Sequence, residues 1–244
     1  MILQDQTILI SGAGGSVGAF LAKELSKSVK KVIGIDLNEG SLNHDDNIEY
    51  HGCDLTNSEE VTNVLSPILE NHRVTVLINL AGQIHSEPLI NLLNRTDACH
   101  SFSNWDKVVK ANMYSVFNLS AIVAEQMVKK RTKGLIINTS SVAAQGNLGQ
   151  TAYAAAKAGI EAMTKVWSKE LGMFRIRCAC ISPGFFDTPS THNNLNESNI
   201  DKWKKMTPVG KLGSLDEFLS GIKFIVENDY FNGKILQLDG GLNV

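Results

Sequence analysis

The chain lacks the features that mark a membrane protein or a nucleic-acid-binding protein. No apolar stretch approaches the roughly 18 to 20 residues that cross a bilayer, so we expect no membrane partner. The 23 basic and 25 acidic residues give a net charge of −2 without a basic tract or an acidic tail, which argues against a nucleic-acid partner. The opening sequence, MILQDQTILI, enters a strand without room for a signal peptide, so we expect a soluble cytoplasmic protein that binds small molecules.

Cysteine is too scarce to form a disulfide framework. The four cysteines are Cys53, Cys99, Cys178 and Cys180. The last two alternate along a predicted strand and would point to opposite faces of a sheet, so we interpret them as small buried hydrophobic residues in a reducing compartment. The spacing of His85, Cys99 and His100 fits no standard zinc pattern, and no metal site is predicted.

Internal repeats, linkers and low-complexity segments are also absent, and 244 residues can bury one large core. Strand and helix patterns alternate along the chain, which predicts an α/β fold: a doubly wound parallel sheet of Rossmann type in a three-layer α/β/α sandwich, with residues 1–244 as a single domain. The predicted strands are Thr7–Ile10, Lys31–Asp36, Ile48–Cys53, Val74–Leu80, Leu135–Asn138, Arg175–Ile181 and Lys234–Leu238. One predicted helix follows the first strand and ends at Leu25, and the others are Ser58–Asn71, a short one at Leu89–Leu93, Trp105–Lys129, Thr151–Leu171 and Ser214–Glu227.

A glycine-rich turn, Ser11–Gly18, stands between the first predicted strand and the first predicted helix. Glycine lets the backbone turn tightly and lets a diphosphate approach, while the unpaired N–H groups at a helix start point toward the anion. A plain flexible turn has the same composition, but the position between strand and helix favours nucleotide binding.

Asp36 ends the second predicted strand, 18 residues beyond Gly18. A carboxylate at this place can accept hydrogen bonds from both ribose hydroxyls and repels a 2′-phosphate. Two unit charges about 4 Å apart interact by roughly 4 kcal/mol at an effective dielectric constant near 20, which is enough to decide between cofactors. No Arg or Lys lies in residues 11–17 or 37–43 to offset this repulsion, so we predict NAD in preference to NADP.

The stretch Gly134–Gly159 carries the predicted chemistry. An apolar strand ends near Ser140 and Ser141, and an Ala-rich helix then presents Tyr153 and Lys157 on one face. A tyrosine pKa near ~10 is too high for a base at neutral pH, but a nearby ammonium favours the phenolate, and a serine hydroxyl can steady the charge on a substrate oxygen. A Tyr-x-x-x-Lys pair alone is more often a solvated helix face, but the serines and the glycine-rich turn favour proton transfer at a carbonyl or alcohol.

These motifs resemble those of the short-chain dehydrogenase/reductase family over nearly the whole chain. The residues that carry the resemblance are Ser141, Tyr153, Lys157, Asn112 and the glycine-rich opening. The family's usual Thr-Gly-x-x-x-Gly-x-Gly motif is altered here, because Ser11 replaces the threonine and Ser16 stands at the middle glycine, where its side chain could cap the helix. Leu80 replaces the second asparagine of the family's Asn-Asn-Ala-Gly.

The resemblance implies roles for the catalytic set. Tyr153 would exchange a proton with the substrate oxygen, and Lys157 would lower the pKa of Tyr153 and bond the nicotinamide ribose. Asn112 would hold a water that relays protons, the alternative being an interhelical hydrogen bond. Ser141 would orient the substrate oxygen, although it stands 12 residues before Tyr153, one fewer than the family's usual spacing, which Ser140 satisfies. We favour Ser141 for its Ser-Val-Ala context.

The resemblance also implies contacts with the dinucleotide. Asp54 would bond the adenine amino group with Leu55 near the ring, the alternative for Asp54 being a turn or cap. The segment Asn79–Gly82 would pass near the adenine ribose while mainly supporting the sheet. The Pro183–Gly184 turn would lie by the nicotinamide, and Thr188 would bond its carboxamide. The predicted cofactor-binding residues are Gly12, Gly14, Gly15, Ser16, Val17, Gly18, Asp36, Asp54, Leu55, Asn79, Ala81, Gly82, Tyr153, Lys157, Pro183, Gly184 and Thr188.

The family resemblance further implies a strand order of 3-2-1-4-5-6-7 and a homodimer or homotetramer that packs through the helix carrying Tyr153. A polar lid over residues 189–207, with Leu195, Ile200 and Trp203 as its main apolar residues, and the long segment 83–104 would shape the substrate site.

Three functional hypotheses follow from the sequence. The first is an NAD-dependent dehydrogenase or reductase of a secondary alcohol or ketone. The second, a 3-oxoacyl-carrier-protein reductase, generally prefers NADP and a basic docking surface, and Asp36 and the charge balance argue against it. The third is a catalytically silent NAD-binding regulator, against which the complete Asn, Ser, Tyr and Lys set argues.

Overall fold

The computed structural model describes residues 1–37, 47–93, 98–194 and 196–243. Its seven strands are β1 (Thr7–Ser11), β2 (Lys31–Asp36), β3 (Ile48–Gly52), β4 (Val76–Asn79), β5 (Gly134–Thr139), β6 (Ile176–Pro183) and β7 (Ile235–Leu238). They pair in parallel as one sheet in the order β3-β2-β1-β4-β5-β6-β7. The predicted doubly wound parallel α/β fold is therefore confirmed, while the assignment of residues 1–244 to a single domain stays a prediction.

Helices cover both faces of the sheet. They are α1 (Ser16–Ser26), α2 (Ser58–Asn71), α3 (Phe102–Val109), α4 (Ser115–Lys129), α5 (Thr151–Glu170), α6 (Pro189–Asn194), α7 (Glu197–Met206) and α8 (Leu215–Glu227). Within the described ranges, none of these helices is long and apolar enough to cross a membrane.

Neighbouring residues of β1 belong to two different apolar layers. Ile8 and Ile10 lie in the layer formed with α1 and α8, whereas Leu9 lies in the layer formed with α2 and α4. Because both faces are covered, the inner strands are almost uninterrupted apolar runs, as in Leu135–Ile137. The carboxyl ends of the strands are then the place where polar groups can meet a ligand.

The segment after β4 differs from its prediction. The proposed helix at Leu89–Leu93 is wrong, because residues 89–91 bond across to residues 98–100 instead. Asn91 N–H donates to the Ala98 carbonyl at 2.7 Å, and His100 N–H donates to the Leu89 carbonyl at 2.9 Å. These bonds use backbone groups that a helix would need, and apolar spacing alone could not reveal them.

Two other segments are more helical than expected. The helix predicted to start at Trp105 begins at Phe102, because the Ser101 side chain accepts from Asn104 N–H at 3.3 Å and caps it. The segment predicted as a polar lid, for which no helix was predicted, contains α6 and α7. Leu195 of that lid and residues 38–43 after Asp36 lie outside the described residues.

Buried side-chain amides join the two central strands to the helices above them. Asn79 of β4 donates to Asn138 Oδ1 of β5 at 2.8 Å and to Ser120 Oγ of α4 at 2.9 Å. Asn138 in turn donates to Thr164 Oγ1 of α5 at 2.9 Å. Buried polar groups are stable only when they are hydrogen-bonded, so these contacts hold the strands that deliver the site residues in a fixed relation to α4 and α5.

We expect Asn138→Ala to lower the free energy of unfolding by about 1–3 kcal/mol, because it leaves buried donors and acceptors of its neighbours without partners. Urea unfolding monitored by circular dichroism measures the change. Asn63→Ala, on the exposed face of α2, is the matched control and should stay within about 0.5 kcal/mol of the wild type. Equal stability of the two variants would show that the amide network contributes little.

Candidate active site

A cleft of about 330 Å³ opens at the carboxyl ends of the central strands. Thirteen predicted site residues line it: Gly12, Gly15, Ser16, Val17, Gly18, Gly82, Asn112, Ser141, Tyr153, Lys157, Pro183, Gly184 and Thr188. Six others do not: Gly14, Asp36, Asp54, Leu55, Asn79 and Ala81. Residues that are far apart in sequence therefore meet where β1, β4, β5 and β6 end, as a doubly wound sheet requires.

Close packing explains two glycines of the turn after β1. Gly12 has φ +69°, and a Cβ placed there would lie 2.9 Å from the Ala81 nitrogen. A Cβ at Gly18 would collide with the Gly12 carbonyl oxygen. The helix α1 starts at Ser16, and its N-cap position is held by Gly15 without a side-chain hydrogen bond. Ser16 therefore does not cap the helix, and the amino end of α1 faces the cleft with its backbone donors.

Ser11 stands where the usual family motif has a threonine, and its hydroxyl has a structural role. Ser11 Oγ accepts from Leu80 N–H at 3.1 Å and from Ala81 N–H at 3.2 Å. The hydroxyl therefore ties the end of β1 to the chain that leaves β4. This contact gives Ala81 a structural place beside the glycine-rich turn, outside the lining of the cleft.

The Asp36 carboxylate is hydrogen-bonded to the glycine-rich turn. Its Oδ2 accepts from Gly14 N–H at 2.8 Å, and its Oδ1 accepts from Leu37 N–H at 2.8 Å. Each carboxylate oxygen has a further lone pair that can accept from another donor. The side chain thus lies at the end of β2 next to the turn, as expected of a ribose-binding acid, and it also has a contact that the sequence did not predict.

Asp54, Leu55 and Asn79 have structural contacts. Asp54 Oδ1 accepts from the Thr56 backbone at 2.9 Å and from the Thr56 hydroxyl at 2.8 Å, which matches the turn alternative. The Leu55 side chain is buried in the core under α2. Asn79 belongs to the buried amide network, in agreement with its predicted supporting role. Contacts of these three residues with a cofactor stay predictions.

The turn between β6 and α6 is held by backbone contacts and a helix cap. Gly184 N–H donates to the Leu238 carbonyl at 3.0 Å, and a Cβ at Gly184 would lie 2.9 Å from the Asp239 Cα. Thr188 Oγ1 accepts from Thr191 N–H at 3.1 Å in the first turn of α6. Thr188 therefore borders the cleft while capping the short lid helix.

Tyr153 and Lys157 extend from α5 toward the end of β5, and both are nearly inaccessible to solvent at 8% and 4% exposure. Lys157 Nζ donates to the Thr139 carbonyl at 3.0 Å and lies 5.5 Å from the centroid of the Tyr153 ring. Burial lowers the pKa of the Lys157 ammonium from 10.5 to about 8. The pair is therefore a buried one, which excludes the alternative of a solvated helix face.

The pKa of Tyr153 lies above its ordinary 10.0 because the phenol is buried, and the nearby Ser141 hydroxyl acts in the opposite direction. In the protein without ligands burial dominates the pKa of Tyr153, and the lowering of that pKa by Lys157 stays a prediction. A phenol that stays protonated is suited to donate a proton to a substrate oxygen.

The two adjacent serines have different partners. Ser141 Oγ accepts from Ala143 N–H at 3.2 Å and borders the cleft beside Tyr153. Ser140 Oγ donates to Glu161 Oε1 at 2.8 Å, on the side of the helix α5. Both serines line the cleft, but only the Ser140 hydroxyl is bonded to a carboxylate, so the geometry favours Ser141 as the serine available to a substrate, despite its shorter spacing from Tyr153.

Asn112 lies in a wide helical turn, Lys110–Tyr114, between α3 and α4. Its Nδ2 donates to the Val108 carbonyl at 2.8 Å and to the Gln83 carbonyl at 2.9 Å. The Asn112 side chain thus bonds the Val108 carbonyl, which in a regular α-helix would accept from the Asn112 backbone N–H. Widened helical turns of this kind are frequent at functional sites. Its Oδ1 is buried without a described partner and lies close to Gly82.

Sequence reasoning missed several residues at the cleft. They are Ile84, Val142, Ala143, Asn147, Gln150, Phe185, Phe186, Ser190 and Thr191. The signal for Phe185 and Phe186 was their place directly after the Pro183–Gly184 turn. Trp203 of α7 stacks on Phe185, with ring centroids 4.1 Å apart, so the lid helix contacts an aromatic wall of the cleft.

Glu87 organises the long segment after β4. Its carboxylate accepts from Ser101 N–H and Asn104 Nδ2, each at 2.9 Å, and lies 3.0 Å from His85 Nε2. These contacts hold the pKa of Glu87 down at about 2. Its backbone N–H donates to the Gly149 carbonyl at 2.6 Å, which joins the segment to the loop before α5. Within the described residues, no group of three or more His, Cys, Asp or Glu is placed to hold a metal ion.

Two parts of the cleft have donor groups that suit one dinucleotide. At one, the uncapped amino end of α1 presents backbone donors, which suits a diphosphate. At the other, the buried Lys157 ammonium donates to the Thr139 carbonyl alone among the described residues, so protons remain for oxygens such as those of a ribose.

Comparison with known proteins assigns the family. The family model described as short chain dehydrogenase matches residues 6–199, and the chain belongs to this family. The chain is 31% identical to the 3-oxoacyl-acyl-carrier-protein reductase FabG of Thermotoga maritima, over 99% of each sequence. Among solved structures, a 4-hydroxyisoleucine dehydrogenase complexed with NADH has a TM-score of 0.87 at 28% identity, covering 97% of this chain and 98% of that one. A short chain dehydrogenase from Leptospira borgpetersenii with bound NAD⁺ has a TM-score of 0.86 at 27% identity, covering 99% and 94%. The protein is therefore an oxidoreductase of the short-chain dehydrogenase/reductase family.

We expect Lys157→Met to raise the free energy of unfolding at pH 7 by about 1–2 kcal/mol, because it removes a buried ammonium. The native ammonium loses its proton near pH 8, whereas the unfolded lysine keeps its proton up to about 10.5. Wild-type stability therefore rises over this interval, and the advantage of the variant shrinks. Urea unfolding at several pH values between 6 and 10.5 measures both effects.

Lys165→Met, at an exposed position of α5, is the matched control and should show no such pH-dependent gain. A Lys157→Met variant that is less stable than the wild type at pH 7 would contradict the argument. In that case, the bond to the Thr139 carbonyl would outweigh the cost of burying the charge.

Proposed function

We propose that this protein transfers a hydride between NAD(H) and a secondary alcohol or ketone, with Tyr153 as the general acid and base. One observation carries the proposal. The buried Tyr153 side chain lies beside Ser141, its ring centroid is 5.5 Å from the Lys157 ammonium, and it shares a cleft with the uncapped amino end of α1. A proton donor and a nucleotide-binding turn thus share one cavity, which is what hydride transfer coupled to proton transfer needs.

The choice of NAD rests on Asp36. Its carboxylate lies next to the glycine-rich turn and bonds Gly14, so a 2′-phosphate on the adenosine ribose would approach a fixed negative charge. The names of two similar solved structures contain NADH and NAD⁺, which supports the same choice for this chain. Gly14 and Asp36 would hold the ribose, while Gly15–Gly18 would hold the diphosphate.

The chain's own residues supply the proton chemistry. A bound nicotinamide would supply the chemistry of hydride transfer. Tyr153 Oη gives its proton to the carbonyl oxygen in reduction and takes it back in oxidation. Ser141 Oγ donates a hydrogen bond to the same oxygen and holds it in line. Lys157 Nζ, anchored on the Thr139 carbonyl, stabilises the phenolate left behind on Tyr153.

Asn112 completes the proposed set. Its amide nitrogen is committed to two backbone carbonyls, and this fixes the widened turn beside Gly82 and Lys157. In the proposal this turn holds a water that returns protons from Lys157 toward solvent. The Oδ1 of Asn112, which has no hydrogen-bond partner in the part of the chain that the structure describes, gives such a water an acceptor within the protein.

A second candidate acts on a larger substrate of the same chemical type. The Thermotoga maritima relative is a 3-oxoacyl-acyl-carrier-protein reductase, and the match extends over 99% of both chains. Reduction of a 3-oxoacyl group would use the same proton donor, so the two candidates differ in substrate and cofactor and not in mechanism. A substrate screen should therefore include 3-oxoacyl thioesters beside simple ketones.

We also propose a homodimer or homotetramer that packs through α4 and α5. Phe117 and Val166 are about half exposed on these helices. A hollow of about 460 Å³ lined by α4, β5 and α5 residues, including Trp167, lies alongside. Burying exposed apolar side chains of this size is the usual source of stability in a homo-oligomer.

We expect Tyr153→Phe to reduce turnover by about 10²–10⁴-fold while the fold and the cofactor affinity are kept, because only the proton donor is lost. Turnover is followed by NADH absorbance with a panel of secondary alcohols, ketones and 3-oxoacyl thioesters. Tyr230→Phe, at a fully exposed tyrosine, is the control. Undiminished turnover in Tyr153→Phe would refute the mechanism. A wild-type protein that binds the cofactor but converts none of the substrates would favour the silent regulator.

We expect wild-type protein to bind NAD(H) more tightly than NADP(H) in calorimetric titrations. Asp36→Asn should narrow the difference in affinity between NAD(H) and NADP(H) by about tenfold or more, because it removes the charge but keeps one acceptor oxygen for the Gly14 N–H. Asp36→Ala should also weaken NAD(H) binding, since it frees the turn at Gly14. Asp106→Asn, exposed on α3, is the control. A wild-type preference for NADP(H) would overturn the assignment of Asp36.

A further inference from the structure

The hydroxyl of Ser140 is hydrogen-bonded to a residue of helix α5. Ser140 is 1% exposed, and its Oγ donates to Glu161 Oε1 at 2.8 Å, with a longer contact of 3.3 Å to the Lys157 carbonyl. A hydroxyl that donates to a carboxylate forms a charge-assisted bond, which is stronger than a bond to a neutral carbonyl. Glu161 therefore determines which way the Ser140 side chain is turned.

Glu161 lies on the same helix as the proposed proton donor. It stands four residues after Lys157 on α5, so the two side chains leave the same face of the helix. Glu161 is half-buried and does not line the cleft. It can affect the reaction only through the residues that it holds, and not by touching a substrate.

The end of β5 is fixed to α5 through two consecutive residues. The Thr139 carbonyl accepts from Lys157 Nζ at 3.0 Å, and the next residue, Ser140, bonds Glu161. The backbone N–H of Ser140 is also bonded, to the Ile181 carbonyl of β6 at 2.8 Å. The residue after this anchored pair is Ser141, whose hydroxyl borders the cleft.

We propose that Ser140 and Glu161 form a positioning pair that sets the strand end for Lys157 and Ser141. The inference rests on the proposed function and assigns a role to two residues outside the proton-transfer set. Ser140 lines the cleft, and the bond turns its hydroxyl toward Glu161 of α5 while the Thr139 carbonyl is held at the ammonium. The site tolerates little displacement, because a shift of about 1 Å in a reacting group can cost on the order of 10²-fold in rate.

The test is a double-mutant cycle on the full-length protein. Ser140→Ala and Glu161→Ala should each lower kcat by about tenfold with little change in KM, and the double variant should be no worse than either single variant, since both remove the same bond. Glu161→Gln keeps an acceptor oxygen and should restore most of the turnover. Glu59→Ala, at an exposed position of α2, is the matched control and should behave as wild type. Thermal unfolding of every variant shows whether it is folded.

The possible outcomes separate this inference from the proposed function. If wild type turns over and Ser141→Ala does not, the proposed function stands, and the cycle alone decides the positioning pair. Wild-type kcat in Glu161→Ala, or losses in the two single variants that multiply in the double variant, would overturn the pair. Loss of turnover in Ser140→Ala with an active Glu161→Ala would also overturn it and would make Ser140 the serine that touches the substrate.

Discussion

The Lys157 ammonium is buried at the carboxyl end of β5, an inner strand, and this buried charge is the main constraint on the cleft. Burial of a cation is unfavourable, so the group needs an acceptor, and the Thr139 carbonyl at the end of β5 supplies it. A Cβ at Gly82 would collide with Asn112 Oδ1 and lie 3.5 Å from Lys157 Nζ. The absence of a side chain at Gly82 therefore leaves the space in which the ammonium and the Asn112 amide approach each other.

This arrangement also shows how stability is distributed in the molecule. The two apolar layers and the hydrogen bonds between Asn79 and Asn138 stabilise the sheet. This stabilisation offsets the free-energy cost of burying the Lys157 ammonium. The amino end of α1 is similarly left without a side-chain cap beside the cleft. Groups that are poorly satisfied in the free protein are the ones that a bound ligand can satisfy, so they mark the proposed cofactor and substrate positions.

Local sequence predicted elements whose ends are fixed by neighbouring residues. The bounds of α2 match its prediction, because Asn57 accepts from the N–H groups of Glu59 and Glu60 at the helix start. The segment 89–93 has apolar residues at a similar density, but its backbone bonds to residues 98–100. A pairing partner that lies beyond the local window leaves no periodic signal, and the prediction of a helix there was wrong for that reason.

In the candidate site, too, motifs within one segment were predicted, whereas contacts between distant segments were not. Sequence patterns placed Tyr153 and Lys157 on one helix face and Gly12–Gly18 between a strand and a helix. They did not predict that Asp36 would brace Gly14, that Phe185 would stack on Trp203, or that Asn112 would widen its helix. The contacts of Asp36 and Phe185, and the bond from Asn112 to the Gln83 carbonyl, each join residues that folding, and not spacing, brings close.

By itself, the sequence determined the order of strands and helices, the apolar layers that cover the sheet, and the residues that can carry proton transfer. It could do so because periodicity and short motifs are local properties of the chain. Only the tertiary structure showed the different partners of Ser140 and Ser141, the partners of Asp36 and Asp54, and the burial that shifts the pKa of Lys157 and Tyr153. Those properties depend on distances between segments and on exclusion of water, which arise only when the parallel strands bring their carboxyl ends together.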